Sequence, residues 1–258
     1  MGVLDTFRLD GKVALVTGGS RGLGLQIAEA LGDVGASVAI TARREPGLQE
    51  AVSHLADRDI RAMSVTCDIS RNDQVEAAVN TVLERFEHID ILVNNAGATW
   101  GAPLAELPFE AWDKVVRTNV DGTYFVSRAV ALHMIERGAG GRIINIASIA
   151  GLLGTDPRIM PTLPYNTSKG AVVNFTRALA ATLAEHNINV NCICPGFFPT
   201  RMSAVTIERS AERILAGTPL KRVGNDQDLK GIAVLFASDA SSYITGQVIA
   251  VDGGATAI

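Results

Sequence analysis

Lys12-Val13-Ala14-Leu15-Val16-Thr17-Gly18-Gly19-Ser20-Arg21-Gly22-Leu23-Gly24 is the stretch whose reading decides the fold. Its first six residues form an apolar, β-branched run of strand length. Glycines then interrupt it, and apolar residues recur at helical spacing from Leu23 to Val34, where Gly35 closes the pattern. The unit is strand, turn, helix. The strand is apolar at consecutive positions, so both of its faces are buried, as in a parallel sheet covered by helices on each side.

The same strand signal recurs at Ser37–Ala42, Arg61–Cys67, Ile89–Asn94, Arg142–Ala147, Ile188–Cys194 and Gln247–Val251. Helical patterns separate most of these runs, including Ala111–Ile135 and a helix that opens at Tyr165 and runs to about Glu185. No Pro/Ser linker, repeat or low-complexity tract divides the chain, so the expectation is one doubly wound α/β domain over residues 1–258. Gly151–Pro164 and Pro195–Arg222 are the main irregular stretches, and each follows a strand. Open α/β sheets bind ligands beyond the carboxyl ends of their strands, so these two stretches are expected to border the site.

Composition narrows the function. In 258 residues, hydrophobic side chains make up 47% and charged ones 19%, ordinary globular usage that excludes a disordered or fibrous chain. Lys plus Arg number 23 against 27 acids, a net charge of −4 with no basic block, so no nucleic-acid partner is expected. No apolar run reaches membrane-spanning length and no secretory start is present, so no membrane partner and a cytoplasmic location are expected. Met1-Gly2-Val3-Leu4-Asp5-Thr6 fits a short myristoylation pattern but lacks a second anchoring signal, and is read as chance. Cys67, Cys192 and Cys194 read as buried thiols of a reducing compartment. His54, His88, His133 and His186 show no ligand spacing, so no metal is expected.

The glycine turn admits two readings. Between a strand and a helix, glycines let the backbone approach a phosphate, and the open N–H groups and helix dipole favour an anion. The spacing is G-x-x-x-G-x-G, so the common G-x-G-x-x-G fingerprint applies only through its physics. Gly18-x-Ser20-x-Gly22 also fits a hydrolase nucleophile elbow, although that elbow normally follows several strands rather than the first. Asn94-Asn95-Ala96-Gly97 closes the fourth strand at the same sheet edge. Tyr165 and Lys169 are one helical turn apart, so the ammonium is expected near the phenol, lowering its pKa toward a value useful for proton transfer. Ser148 ends the fifth strand at that edge, within reach of a bound carbonyl. Asn119 is an unfavourable residue inside a helical pattern.

Taken together, Thr17-Gly18-x-x-x-Gly22-x-Gly24, Asn94-Asn95-Ala96-Gly97, Asn119, Ser148, Tyr165-x-x-x-Lys169, Pro195-Gly196 and Val251-Asp252-Gly253-Gly254 strongly resemble the short-chain dehydrogenase/reductase family. The similarity covers nearly the whole chain and extends to a subgroup labelled gluconate 5-dehydrogenase or 3-oxoacyl-carrier-protein reductase. It implies a Rossmann-type seven-stranded parallel sheet, a nicotinamide cofactor, and hydride exchange with a carbonyl or alcohol substrate. By the match, Tyr165 is the general acid in reduction, Lys169 lowers its pKa and holds the nicotinamide ribose, and Ser148 polarises the carbonyl. Asn119 holds a relay water behind Lys169. The cofactor set implied is Gly18, Ser20, Arg21, Gly22, Leu23, Gly24, Arg43, Asp68, Ile69, Asn95, Ala96, Gly97, Tyr165, Lys169, Pro195, Gly196, Phe198 and Thr200. Asp68 and Ile69 flank adenine, and the segment from Pro195 to Thr200 seats the carboxamide. Relatives are usually homotetramers.

Two expectations concern specificity. An NAD-preferring site places a carboxylate after the second strand, and here Ala42 is followed by Arg43 and Arg44, so NADP(H) is preferred over NAD(H), with Arg43 the main contact and Arg21 a second cation. The stretch from Gly154 to Pro164 is a proline-stiffened wall. Its Arg158 is read as a partner for a substrate carboxylate or phosphate, or as a solvated residue. Ile159, Met160 and Leu163 are read as a channel lining. A flap at 199–217 carries Arg201, Met202 and Val205. A 3-oxoacyl-type ketone is favoured over a sugar acid, with a Ser20 hydrolase or a non-catalytic dinucleotide sensor as distant alternatives.

Overall fold

The computed structural model describes residues 2–258, so Met1 of the acylation-like pattern lies outside the described residues. Seven strands form one sheet in the order β3-β2-β1-β4-β5-β6-β7. They are β1 (Val13–Thr17), β2 (Ser37–Ala42), β3 (Ala62–Thr66), β4 (Ile91–Asn94), β5 (Gly141–Ile146), β6 (Ile188–Pro195) and β7 (Val248–Val251). Every pairing is parallel, from Val13 opposite Ser37 to Pro195 opposite Val251. The strand order reverses between β1 and β4, and such a switch point leaves a crevice at the carboxyl ends. The seven-stranded Rossmann-type architecture expected from the sequence is the one found.

Helices α1 (Gly22–Asp33), α2 (Glu45–Ala56), α3 (Asn72–Phe86), α4 (Phe109–Val116), α5 (Gly122–Arg137), α6 (Leu163–Leu183), α7 (Ala204–Ala216) and α8 (Lys230–Ala237) complete the fold. One buried cluster joins Val16, Ile40 and Ile193 to Ile27 of α1, Leu48 of α2 and Phe236 of α8. A second joins Leu15, Ala39 and Leu92 to Val79 of α3 and Val130 of α5. Alternate residues of one strand thus feed opposite layers, which is why β1 is apolar throughout.

The helical pattern at Ala111–Ile135 is not one helix. A π-helical turn at Arg117–Asp121 separates α4 from α5 and carries Asn119. One wider turn re-aims a single side chain inward, and such bulges recur at functional sites. At the opposite end of the sheet, buried Asp90 accepts from the Val13 N–H at 2.9 Å and from Arg137 Nη2 at 2.7 Å, pinning β1 to α5.

Candidate active site

Parallel strands deliver their carboxyl ends to one edge, where the loops after β1, β4, β5 and β6 meet. The loop after β1 is the glycine turn. Gly18 has φ +66°, and a Cβ there would lie 2.9 Å from Ala96 Cα, so glycine permits both the left-handed backbone and the approach of the β4 loop. Asn95 Nδ2 donates to the carbonyls of Thr17 and Gly18 at 2.9 and 3.2 Å. Thr17 Oγ1 accepts from the N–H groups of Asn95 and Ala96 at 3.0 and 3.1 Å. Helix α1 then starts at Gly22 with no side chain capping it, so its first N–H groups stay open at the positive end of the dipole. That cradle fits a phosphate. Ser20 Oγ has no hydrogen bond to a histidine among the described residues, which leaves a nucleophile elbow without its base.

Arg43 and Arg44, directly after β2, and Arg21 are exposed, and none forms an ion pair among the described residues. Asp68 is part-buried, with Oδ1 accepting from the N–H and hydroxyl of Ser70 while its own N–H donates to Gln74 Oε1 at 2.9 Å. Its backbone donor is therefore engaged, and Ile69 is buried against Gly122 at the start of α5. Thr200 borders Gly22: a Cβ on that glycine would stand 3.6 Å from Thr200 Cγ2. Phe198 is buried beneath Gly224, and the Thr200 N–H is capped by Ser203 Oγ at 3.0 Å. Pro195 ends β6, and Gly196, directly after it, packs on Asp252.

Helix α6 brings Tyr165 and Lys169 to one face, with Lys169 Nζ 5.7 Å from the centre of the tyrosine ring. Nζ donates to the Ile146 carbonyl at 2.7 Å, and a Cβ on Gly97 would lie 3.7 Å from it, so the 95–97 loop passes beside the ammonium. Burial pushes the Lys169 ammonium down to about 8. Ser148, 8% exposed, ends the loop out of β5 and accepts from the Ala150 N–H at 3.1 Å. The ammonium thus stands beside the phenol, as the helical spacing predicts. Burial raises the Tyr165 phenol above its ordinary value, and the Ser148 hydroxyl offsets part of the rise, while one of the three N–H groups of the Lys169 ammonium goes to the Ile146 carbonyl.

Asn119 is held from two sides. Its Oδ1 accepts from the Ala98 N–H at 2.7 Å, and its Nδ2 donates to the Ala98 carbonyl at 2.9 Å and to Ser168 Oγ at 2.9 Å. The side chain is thus a clamp between the β4 loop and α6, with both Nδ2 protons engaged and one lone pair of Oδ1 still open. Ser168 Oγ passes its proton to the Tyr165 carbonyl at 2.8 Å. Behind it runs a chain the sequence reading missed: Asn94 Nδ2 donates to Ser127 Oγ and Asn145 Oδ1, and Asn145 Nδ2 donates to Thr176 Oγ1. The signal was available, since Asn145 is a polar residue set between Ile144 and Ile146 in the strand.

In the 154–164 stretch, Arg158 makes a forked pair with Asp156, Nε to Oδ1 at 2.9 Å and Nη2 to Oδ2 at 2.7 Å, and its side chain is 74% exposed. Arg158 is thus solvated and paired within its own loop. Ile159 and Met160 are half-buried, whereas Leu163, Met202 and Val205 are exposed. Among the described residues no group of three His, Cys, Asp or Glu side chains is arranged for a metal ion, and no helix is long and apolar enough to cross a membrane.

Residues 18–256 match the family described as enoyl-(acyl carrier protein) reductase. The chain is 40% identical over 254 residues to a gluconate 5-dehydrogenase of Gluconobacter oxydans, covering 98% of this chain and 97% of that one. The chain belongs to the short-chain dehydrogenase/reductase family. It is an oxidoreductase acting between hydroxyl and carbonyl groups. A 3-oxoacyl-(acyl-carrier-protein) reductase of Chlamydia trachomatis is 41% identical, over 94% of this chain and 96% of that one. Among solved structures, a gluconate 5-dehydrogenase from Burkholderia cenocepacia in complex with NADP and tartrate superposes with a TM-score of 0.94 at 37% identity, covering 100% of both chains. A short-chain type dehydrogenase/reductase from Mycobacterium marinum superposes with a TM-score of 0.96 at 36% identity.

Proposed function

We propose that this short-chain dehydrogenase/reductase is an NADP(H)-preferring ketoreductase acting on a 3-oxoacyl-type ketone. The observation that carries the reading is the convergence of Ser148, Tyr165 and Lys169 beside a glycine cradle that is flanked by unpaired arginines instead of a carboxylate. The glycine turn and α1 N-terminus hold the dinucleotide pyrophosphate, Arg43 and Arg21 its 2′-phosphate, and Asn95, Ala96, Gly97, Phe198 and Thr200 border the rest. The bound nicotinamide supplies the hydride to the carbonyl carbon. Ser148 Oγ donates to the carbonyl oxygen and orients it. Tyr165 then gives that oxygen its proton. The buried phenol holds its proton at neutral pH until the carbonyl oxygen takes it up, as a general acid in reduction requires. Lys169 steadies the ribose edge, Tyr165 regains its proton from solvent after each turnover, and Asn119 keeps the β4 loop and α6 in register. Pro195 and Gly196 shape the carboxamide end, and Asp68 and Ile69 the adenine end.

The preference for an oxoacyl-type ketone follows from the walls. Arg158 is neutralised by Asp156, so it is not reserved for a substrate carboxylate, and Ile159, Met160, Met202 and Val205 are apolar. A second reading, oxidation or reduction at C5 of gluconate-type acids, rests on the relatives of that name. The flap at 199–217, a homotetramer and a cytoplasmic location complete the proposal. Reduction of a panel of ketones with NADPH and with NADH, followed at the reduced-nicotinamide absorbance band, tests it. Turnover of 3-oxoacyl thioesters with NADPH is expected, and equal or better kcat/KM with NADH overturns the cofactor assignment.

A further inference from the structure

The strap between Ser148 and Tyr165 is closed by a side chain that the proposed chemistry leaves without a role. Asn166 follows Tyr165 in the first turn of α6, about 100° around the helix from it. Its Nδ2 donates to Thr155 Oγ1 at 3.0 Å, and its Oδ1 accepts from Thr162 Oγ1 at 2.9 Å. Thr155 Oγ1 in turn donates to the Met160 carbonyl at 3.1 Å, and the Asn166 N–H donates to the Thr162 carbonyl at 3.0 Å. One amide thus holds both ends of residues 155–162. Between those ends, the Asp156 carbonyl accepts from the N–H groups of Ile159 and Met160, both at 2.9 Å, and Pro157 and Pro161 limit the backbone. From the opposite side, the Ala102 N–H donates to the Pro161 carbonyl at 3.0 Å, tying the loop after β4 to the same strap.

We propose that Asn166 is a positioning residue that sets selectivity for substrate length, a reading that rests on the ketoreductase assignment above. Asn166 is the chain neighbour of Tyr165, so the anchor of the strap and the proposed proton donor move as one rigid turn. The strap is then a fixed wall at a fixed distance from the phenol, with Ile159 and Met160 along it. A fixed apolar wall rewards each methylene laid against it by up to about fourfold in affinity, whereas a loose strap spends that gain on ordering itself. Polar side chains here serve to fix an apolar surface.

The test uses Asn166→Ala and, as an independent cut of the same clamp from the strap side, the double variant Thr155→Val/Thr162→Val. Backbone amide exchange over 155–162 is expected to speed up by about tenfold or more in both, with α6 beyond its first turn unchanged. The preference for a 3-oxooctanoyl over an acetoacetyl thioester is expected to fall by roughly tenfold, chiefly through KM, with kcat changing less. Unchanged exchange overturns the clamp. Faster exchange with an unchanged preference overturns its role in selectivity, as does a loss that falls equally on every substrate alongside a lowered Tm. If the unmodified enzyme reduces 5-ketogluconate and no 3-oxoacyl thioester, the substrate reading fails by itself. The clamp is then judged by exchange and by the preference for 5-ketogluconate over dihydroxyacetone, which Asn166→Ala must again reduce.

Discussion

Replacing Lys169 with methionine should stabilise the cofactor-free protein while abolishing its activity. Lys169 is 5% exposed and its ammonium has one hydrogen-bond partner, the Ile146 carbonyl. Burial moves it from the ordinary 10.5 to about 8. At about 1.4 kcal/mol per tenfold change in proton affinity, keeping the charge inside the fold at neutral pH costs about 3 kcal/mol. Methionine fills a similar volume without a charge, and leaving the Ile146 carbonyl unpartnered takes back about 1 kcal/mol. The net gain of about 2 kcal/mol corresponds to a rise in Tm of about 4–8 °C for a chain of this size. The sign with pH follows from linkage. A lysine with a depressed pKa binds fewer protons when folded, so its cost is full below about pH 8 and disappears as pH rises through 10.5. Denaturation of both proteins at one protomer concentration, from pH 7 to pH 10.5, should show the variant more stable at pH 7 and the gap closing above pH 8. A variant less stable at pH 7, or a gap independent of pH, refutes the argument.

Tyr165→Phe should lower kcat by roughly a hundredfold or more while the Kd for NADPH stays within a few-fold, measured by fluorescence titration beside steady-state kinetics. Arg43→Ala should raise KM for NADPH by about tenfold or more and leave KM for NADH nearly unchanged, because only the former carries the 2′-phosphate. Asp90→Ala removes the acceptor shared by Val13 and Arg137 and should destabilise by about 3–5 kcal/mol in urea melts. Burial disfavours the Asp90 carboxylate, but the Val13 N–H and Arg137 outweigh it and lower its pKa. Its stabilisation is therefore present above pH 4 and is lost as pH falls further, so the difference between the two proteins should shrink in acid.

Strands and their carboxyl-edge loops were legible because burial on both faces writes a continuous apolar run, and because glycine marks the positions where the backbone must turn or approach closely. Tyr165 and Lys169 were legible as a pair because helical spacing alone puts them on one face. What Lys169 does there was not. The proton acceptor at Ile146 lies 23 residues away, and no spacing rule relates them. Asn119 could be seen as a misfit in a helix, but not as the centre of a π-helical turn, since that geometry is set by Ala98 and Ser168 from two other elements. Arg158 shows a local pairing that spacing alone did not bring out. A cation in a loop beside the site suggested a substrate anion, and its answering charge stood two residues away at Asp156.

The most direct test of the account is kcat/KM with NADPH for an acetoacetyl thioester set against 5-ketogluconate under the same conditions. A clear preference for the thioester, lost in Tyr165→Phe, is the predicted result. A clear preference for 5-ketogluconate, or near-normal turnover by Tyr165→Phe, contradicts it.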